Sequence, residues 1–125
     1  LAAVAAAEAA RGRDAKVREE HTRELLSRTL TRAELLRVAR AIETAADNGK
    51  TEAVIARFPV ELTADRARAI NNAEFGPEVA ATLRGLPAEL YAYFARRPGY
   101  RFRAFVSRFA ANGTPEEAVL VLRFA

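Results

Sequence analysis

Several residue types that carry chemistry in small proteins are missing from this 125-residue chain. It contains no Cys and a single His. The absence of Cys excludes disulfide bonds, a thiolate nucleophile and the classical zinc sites that use Cys ligands. No apolar run approaches the ~18–20 residues that a membrane-spanning helix needs, so we expect no membrane partner.

The residues that remain form no recognisable catalytic or cofactor pattern. His21 lies in the most highly charged stretch, where a solvated surface position is typical. The acidic pairs Glu19-Glu20 and Glu116-Glu117 are adjacent in sequence, so their carboxylates point in different directions. No Gly-rich phosphate loop follows a predicted strand. We therefore predict no metal site, no cofactor and no catalytic residues, and we consider a binding protein more favoured than an enzyme.

The charge of the chain is basic but evenly spread. The formal net charge is +4 and the pI is about 10.1. Residues 1–50 and 51–125 each carry ten basic and eight acidic side chains, so neither half is a basic tail. Arg accounts for 18 of the 20 basic residues, and there are 29 Ala. This composition is typical of a GC-rich genome, and the high pI alone does not indicate nucleic-acid binding.

The first 30 residues predict an exposed, charged helix. The stretch 1–10 is rich in Ala but contains Glu8, and Arg-Gly-Arg follows it, which indicates the start of a helix rather than a signal-peptide core. Acid-to-base pairs at i,i+4, such as Asp14 with Arg18 and Glu24 with Arg28, are typical of a solvated helix surface. We expect the last turns of this helix to dock on the domain. Because no signal-peptide core is recognised, we expect the protein to be cytoplasmic.

A second helix has a clear start and end. Thr31-Arg-Ala-Glu34 is a capping box, in which the Thr hydroxyl accepts from the N3 amide and the Glu reaches back to the cap. The apolar residues that follow share one helical stripe, and Asn48-Gly49 ends the helix because both tolerate the left-handed conformation.

The remaining chain predicts an α+β domain over residues 31–125. A strand over 51–58 ends at Pro59, with Val54, Ala56 and Phe58 on one side and Ala53, Ile55 and Arg57 on the other. Thr63 is expected to cap a helix over about 64–74. A further helix over 77–97 is expected to break at Gly85–Pro87, and a hairpin pairs 100–110 with 118–124. The fold class is thus a helical N-terminal extension followed by a β-α-α-β-β domain with a small three-stranded sheet. Two strand orders stay open, one with the first two strands adjacent and parallel, the other with the last strand between them.

Short strings in the second half resemble a known family. They are Ala56-Arg-Phe-Pro59, Arg68-Ala-Ile-Asn-Asn72, Leu83-Arg-Gly85 and the Gly-Tyr that precedes a Phe-rich strand. They resemble a family of small bacterial proteins, mostly from alphaproteobacteria, over about residues 50–125. The resemblance implies no activity and no cofactor, but it draws attention to Arg57, Arg68, Asn71 and Asn72.

One polar cluster is a candidate ligand site. Arg68, Asn71 and Asn72 share a helical face at i, i+3 and i+4, and Asn has poor helix propensity. Together with Arg57 and Asp65 they could form a small pocket for an anionic metabolite. The competing interpretation is helix termination, with the two Asn residues at the helix end and Arg68 paired with Asp65 or a carbonyl.

A second candidate is the strand Tyr100–Phe109, in which Arg and aromatic residues alternate. Such strands can contact single-stranded nucleic acid, because rings stack on bases and Arg meets phosphates. The face that carries the arginines also carries Ile55, Val119 and Val121, which favours a face that is partly covered by protein. The candidate nucleic-acid residues are Arg101, Arg103, Phe105, Arg108 and Arg123.

These observations favour a macromolecule-binding domain without enzymatic activity. A three-stranded sheet with apolar residues on both faces needs two covering layers, and a second copy of the chain could supply one of them. We therefore expect a homodimer or another protein partner. The alternatives are a basic nucleic-acid-binding accessory protein and, third, a small enzyme or binder of an anionic metabolite.

Overall fold

Helices precede and interrupt one small sheet in the computed structural model. It describes residues 2–125, without the side chains of Ala2, Ala7, Glu8, Ala10 and Arg11. Leu1 of the predicted extension lies outside the described residues. The elements are α1 (Ala2–Ser27), α2 (Arg32–Asp47), β1 (Glu52–Pro59), a 3-10 turn (Val60–Leu62), α3 (Arg68–Asn72), α4 (Pro77–Thr82), α5 (Gly85–Ala95), β2 (Arg101–Phe109) and β3 (Pro115–Arg123). The predicted α+β fold class is confirmed.

The three strands are ordered β1-β3-β2, and both neighbouring pairs are antiparallel. Of the two orders that the sequence left open, the one with the last strand in the middle is therefore found. The helices between β1 and β2 place β2 two strand positions away from β1. The β2–β3 hairpin then brings β3 into the position between them. As a result β1 and β2 are both edge strands.

One side of the sheet, the inner face, forms the core with the helices. Helices α3, α4 and α5 contribute buried side chains such as Ile70, Val79 and Leu90. Next to them, the rings of Phe75, Tyr91 and Phe102 form three tilted contacts, with ring centroids 4.8 to 5.7 Å apart. Aromatic pairs prefer tilted geometries at these distances. The inner face consists of Ala56 and Phe58 from β1, Ala118, Leu120 and Leu122 from β3, and Phe102, Ala104 and Val106 from β2.

The predicted alternation along β1 is wrong at Ile55. The register shifts between Val54 and Ala56, so that Ile55 is an extra residue in a β-bulge. Its side chain is fully buried in the core, whereas Val54 is exposed on the opposite side of the sheet. A bulge breaks the two-residue period, so simple alternation predicts the wrong face for Val54, Ile55 and also Ala53, which lies opposite Leu122 on the inner face.

Helix α2 begins and ends where the capping signals predicted. The Thr31 hydroxyl accepts a hydrogen bond from the Glu34 amide at 3.2 Å, and Gly49, just beyond the helix, has a φ of +74°. The second half of the predicted capping box is replaced, because the Glu34 carboxylate accepts from Arg28 at 2.8 Å and from Arg37 at 3.0 Å. The helix packs Val38 and Ile42 on the core.

The last turns of α1 dock on the domain, as expected. Leu25 is only 6% exposed and belongs to the core. The α1 backbone passes so close to Gly85 that a Cβ there would lie 2.6 Å from the Leu25 carbonyl oxygen. Arg18 forms ion pairs with Glu61 at 2.9 Å and Glu116 at 3.8 Å. Among the described side chains of residues 3–17, all are exposed.

Two predicted helix boundaries are wrong. The helix expected over 64–74 is the short α3, because Arg66 and Ala67 have φ values of +53° and +64° and residues 64–67 form turns. The break expected at Gly85–Pro87 lies at Leu83 and Arg84, where the chain leaves the helix to pair with an earlier segment. There the Arg84 amide donates to the Leu62 carbonyl at 2.8 Å, and Leu83 forms an isolated bridge with Thr63.

Candidate functional site

The side of the sheet opposite the core, the outer face, mixes charged and apolar side chains. On the central strand Val119 and Val121 are buried, whereas Val54 and Phe105 on the flanking strands are 38% and 37% exposed. Apolar side chains therefore contact solvent at both flanks of the outer face. Its central rows consist of Val54 and Arg57 from β1, Val119 and Val121 from β3, and Arg103 and Phe105 from β2.

An ion pair crosses the outer face from one edge strand to the other. The guanidinium of Arg103 on β2 donates two hydrogen bonds, of 3.0 and 3.2 Å, to the carboxylate of Glu52 on β1. The same guanidinium lies 5.0 Å from the ring centroid of Phe105. Because both charges are partly exposed, the pair contributes at most about 1 kcal/mol to stability, but it fixes the orientation of Arg103.

Acidic residues at the start of β3 hold further arginines. Glu117 pairs with Arg57 at 3.8 Å, and its carboxylate accepts a 2.8 Å hydrogen bond from the Ser107 hydroxyl. Glu116 pairs with Arg108 at 3.2 Å. This end of the sheet is therefore close to electrically balanced.

The free edge of β1 is interrupted near its middle. Its bulge at Ile55 disturbs the regular ladder, and the Ile55 carbonyl accepts a 2.8 Å hydrogen bond from the Arg37 guanidinium on α2. A groove of about 360 Å³ along this edge is lined by side chains of α1, α2 and α5, including Leu25, Arg37 and Leu86. Bulges and covering side chains are common means of protecting an edge strand.

The free edge of β2 is regular over its first six residues, and its own register shifts fall only near its end, after Val106 and between Arg108 and Phe109. Among the backbone and side-chain groups that the structure describes, none forms a hydrogen bond with the outward-facing amides and carbonyls of β2. The strand contains nine residues and no Pro, and its first six residues pair with β3 in an unbroken register. An edge of this kind is a template for pairing with another strand. We regard the β2 edge as the candidate functional site.

A cleft lies beside this edge. It has a volume of about 620 Å³ and separates the end of α3 from β2. The Asn71 and Asn72 side chains that line it are exposed, so their amide groups are open to hydrogen bonding. The cleft is lined by Asn71, Asn72, Ala73, Glu74 and Phe75 on the helix side and by Phe102, Arg103, Ala104 and Arg123 on the sheet side.

The candidate ligand residues do not all line one cavity. Asn71 and Asn72 line the cleft beside β2, whereas Arg57 lines the groove along β1. Asp65 acts in the local fold, because its carboxylate accepts a 2.9 Å hydrogen bond from the Ala69 amide in α3. Arg68 is exposed at the first position of α3. The geometry thus places the two Asn residues beside β2 and places Arg57 elsewhere.

The candidate nucleic-acid residues fall into two groups. Arg103 and Arg108 are held in ion pairs with Glu52 and Glu116. Arg101 and Arg123 are direct cross-strand partners and are exposed, and no described carboxylate lies within ion-pair distance of either. This end of the sheet therefore has a local positive charge. Like charges directly opposite each other are unfavourable. Phe105 lies between Arg103 and Arg108 on β2, on the exposed flank of the outer face.

Sequence reasoning missed Glu52 and Ala104. The role of Glu52 as the partner of Arg103 depends on the order of the strands, which no local pattern reveals. Ala104 sits at the middle of the unbroken part of β2 and faces the core. One sequence signal indicates this position. Ala104 is a small residue among larger ones in Phe102-Arg-Ala-Phe105, within a strand that contains no Pro.

Comparison with known proteins returns no protein family, curated protein or solved structure that matches this chain. Two further findings bear on function. No helix within residues 2–125 has the length and apolar character needed to cross a membrane. In the same part of the chain, no three His, Asp or Glu side chains come together in a way that could hold a metal ion.

Proposed function

We propose that this protein is a binding domain without enzymatic activity that associates with a second copy of itself through the outer edge of β2. One observation carries the proposal, namely that the first six residues of β2 present unpaired amides and carbonyls in a regular register, whereas the β1 edge is interrupted by the bulge at Ile55, whose carbonyl accepts from Arg37. Soluble proteins protect their exposed edge strands unless a partner covers them. The asymmetry between the two edges is therefore the expected pattern for one functional edge.

The exposed apolar side chains support the same surface. Phe105 stands on the outer face of β2, and Phe109 at the end of β2 is about half exposed. A strand added at this edge would shield the flank of Phe105 from solvent and would add main-chain hydrogen bonds. Edge pairing over about six residues is at the small end of specific interfaces, so we expect self-association in the micromolar range.

A matched pair of variants tests the proposal. Val54 and Phe105 occupy the outer face of the two opposite edge strands with nearly the same exposed fraction. Analytical ultracentrifugation should show a concentration-dependent dimer for the unmodified protein. Phe105→Lys should shift the equilibrium toward monomer by at least about tenfold, because it places a lysine on the pairing edge. Val54→Lys should leave the dimer unchanged.

The other outcomes contradict the proposal in different ways. A monomer at high micromolar concentration contradicts self-association altogether. Equal loss of the dimer in both variants means that the whole outer face forms the interface rather than the β2 edge. A dimer that neither variant weakens means that the contact lies elsewhere. Thermal unfolding of both variants establishes that each is folded.

Nucleic-acid binding is the second candidate, and the unpaired Arg101 and Arg123 favour it. Its support is narrower, because the ion pairs of Arg103 and Arg108 leave two of the four candidate arginines free of carboxylate partners. A gel-shift titration with single-stranded DNA and RNA at low salt tests it. Binding that weakens steeply with salt and is lost in the double variant Arg101→Ala, Arg123→Ala supports this candidate. No shift at low salt contradicts it.

A further inference from the structure

We infer that the two copies pair through antiparallel β2 strands in a register centred on Ala104, so that Ala104 faces Ala104 of the second copy and one six-stranded sheet results. This inference rests on the proposed function and adds the geometry of the interface. A two-fold axis at the edge makes the contact self-complementary. In that arrangement Phe102 faces Val106 of the partner, and Arg103 faces Phe105 of the partner.

Charge disfavours the neighbouring registers toward the start of the strand. When a strand pairs with its own copy in antiparallel fashion, residues on the same face meet, so the register has a residue at its centre. Centring on Arg103 places two guanidinium groups opposite each other at the axis. Centring on Phe102 places Arg101 opposite Arg103 on both sides of the axis. Like charges directly opposite are destabilising.

The bulges exclude the registers toward the end of the strand. The pairing of β2 with β3 shifts after Val106, and it shifts again between Arg108 and Phe109. Centring on Phe105 or Val106 would place residues beyond these shifts in the main-chain ladder. Centring on Ala104 uses residues 102–106 on both strands, all within the unbroken part of β2.

The pairs that result are chemically complementary on both faces. On the inner face, Phe102 and Val106 are partly buried and already pack against the core, so their pairing extends an apolar layer around the small Ala104. On the outer face, Arg103 already lies over Phe105 of its own chain at 5.0 Å. Because that guanidinium is held toward Glu52 on β1, the partner's Phe105 meets the aliphatic stem of Arg103, and long basic side chains pack such stems against apolar groups.

The cleft at the start of β2 places hydrogen-bonding side chains near the second strand. Paired strands lie about 4.8 Å apart, and the cleft between α3 and β2 opens at Phe102, Arg103 and Ala104. Asn71 and Asn72 stand on its far wall with exposed side chains, where they can donate to the backbone of the incoming strand. This gives a use for the two Asn residues that the helix end itself does not require.

Cysteine crosslinking tests the register, and the absence of native Cys makes the assay clean. Cross-strand partners have Cα atoms about 4.5–5.5 Å apart, within the range that a disulfide spans. Under mild oxidation, Ala104→Cys should form a covalent dimer roughly a hundredfold faster than Ala46→Cys, an exposed control on α2, because pairing raises the effective thiol concentration to the millimolar range. A mixture of Arg103→Cys and Phe105→Cys chains should crosslink to each other faster than either does to itself.

The outcomes separate this inference from the proposed function. If the unmodified protein is a dimer in the ultracentrifuge but Ala104→Cys crosslinks no faster than Ala46→Cys, the register is overturned while self-association stands. If Phe105→Cys crosslinks to itself faster than it does to Arg103→Cys, the axis lies at Phe105 and the inference is also overturned. If the unmodified protein is a monomer, both proposals fail. The mixed-chain experiment keeps the test valid should Ala104→Cys fold poorly.

Discussion

Gly85 is the position where a single added methyl group should do the most damage. An ideal Cβ at this residue would lie 2.6 Å from the carbonyl oxygen of Leu25 and 2.9 Å from the Cα of Leu26. Both atoms belong to the backbone of α1, so no side chain can rotate to relieve the contact. Gly85 also has a φ of +61°, a conformation that costs a residue with a Cβ about 1–2 kcal/mol.

The expected cost of Gly85→Ala follows from these two terms. If the end of α1 moves away, Leu25 leaves the core, and the burial of a leucine side chain contributes roughly 1.5–3 kcal/mol. Together with the backbone term, we expect the free energy of unfolding to fall by roughly 2.5–5 kcal/mol. For a chain of this length that corresponds to a decrease in Tm of about 10–20 °C. Thermal and urea unfolding followed by circular dichroism measure it.

Gly49→Ala is the matched control. Gly49 has a φ of +74°, and a Cβ added there would have no other atom within 4 Å, so this variant carries the backbone cost without the collision. It should lose only about 1–2 kcal/mol. If Gly85→Ala costs no more than Gly49→Ala, then α1 does not press on Gly85 and the docking of its last turns is misplaced.

Three further predictions concern the helices that precede the sheet. Removing residues 1–16 should change Tm by less than about 3 °C, because the described side chains of residues 3–17 are exposed; a larger fall would show that this half of α1 supports the fold. A chain that begins at Leu25 also loses the ion pairs of Arg18 and should melt lower, though by less than about 10 °C. Ile42→Asp should lower the free energy of unfolding by roughly 2–4 kcal/mol, because Ile42 packs on the core. Leu36→Asp, on the exposed side of α2, should lower it by less than about 1 kcal/mol. Equal losses would mean that the apolar stripe of α2 does not face the core.

Local signals predicted the parts of the fold that local chemistry controls. The Thr31 hydroxyl caps α2, and the hairpin turn forms at Asn112-Gly113, where the Asn112 side chain accepts from the Thr114 amide at 3.1 Å. Each of these features depends on residues within a few positions of one another. The sequence is sufficient there because no distant segment competes for the same hydrogen bonds.

The failures occur where a distant segment does compete. Residues 62–64 bond to residues 82–84, and this contact replaces the helix that propensity favoured at both places. The bulge at Ile55 likewise reflects burial against the helices rather than any residue preference in β1. The candidate site depends on long-range order in the same way. The exposed edge of β2 is visible only once β3 is known to lie in the middle of the sheet, and the pairing of Glu52 with Arg103 follows from that order.

Under the proposed function, the interruption of β1 by Arg37 and the bulge would limit how many chains one molecule can recruit. A chain with two open edges could add neighbours on both sides and grow without end, whereas a chain with one open edge has a valence of one. Under the proposed pairing through β2, the available edge of both molecules would be used up and the assembly would stop at two. Arg37 would then act as a terminator together with the bulge, and its loss would remove one of the two features that interrupt the β1 edge.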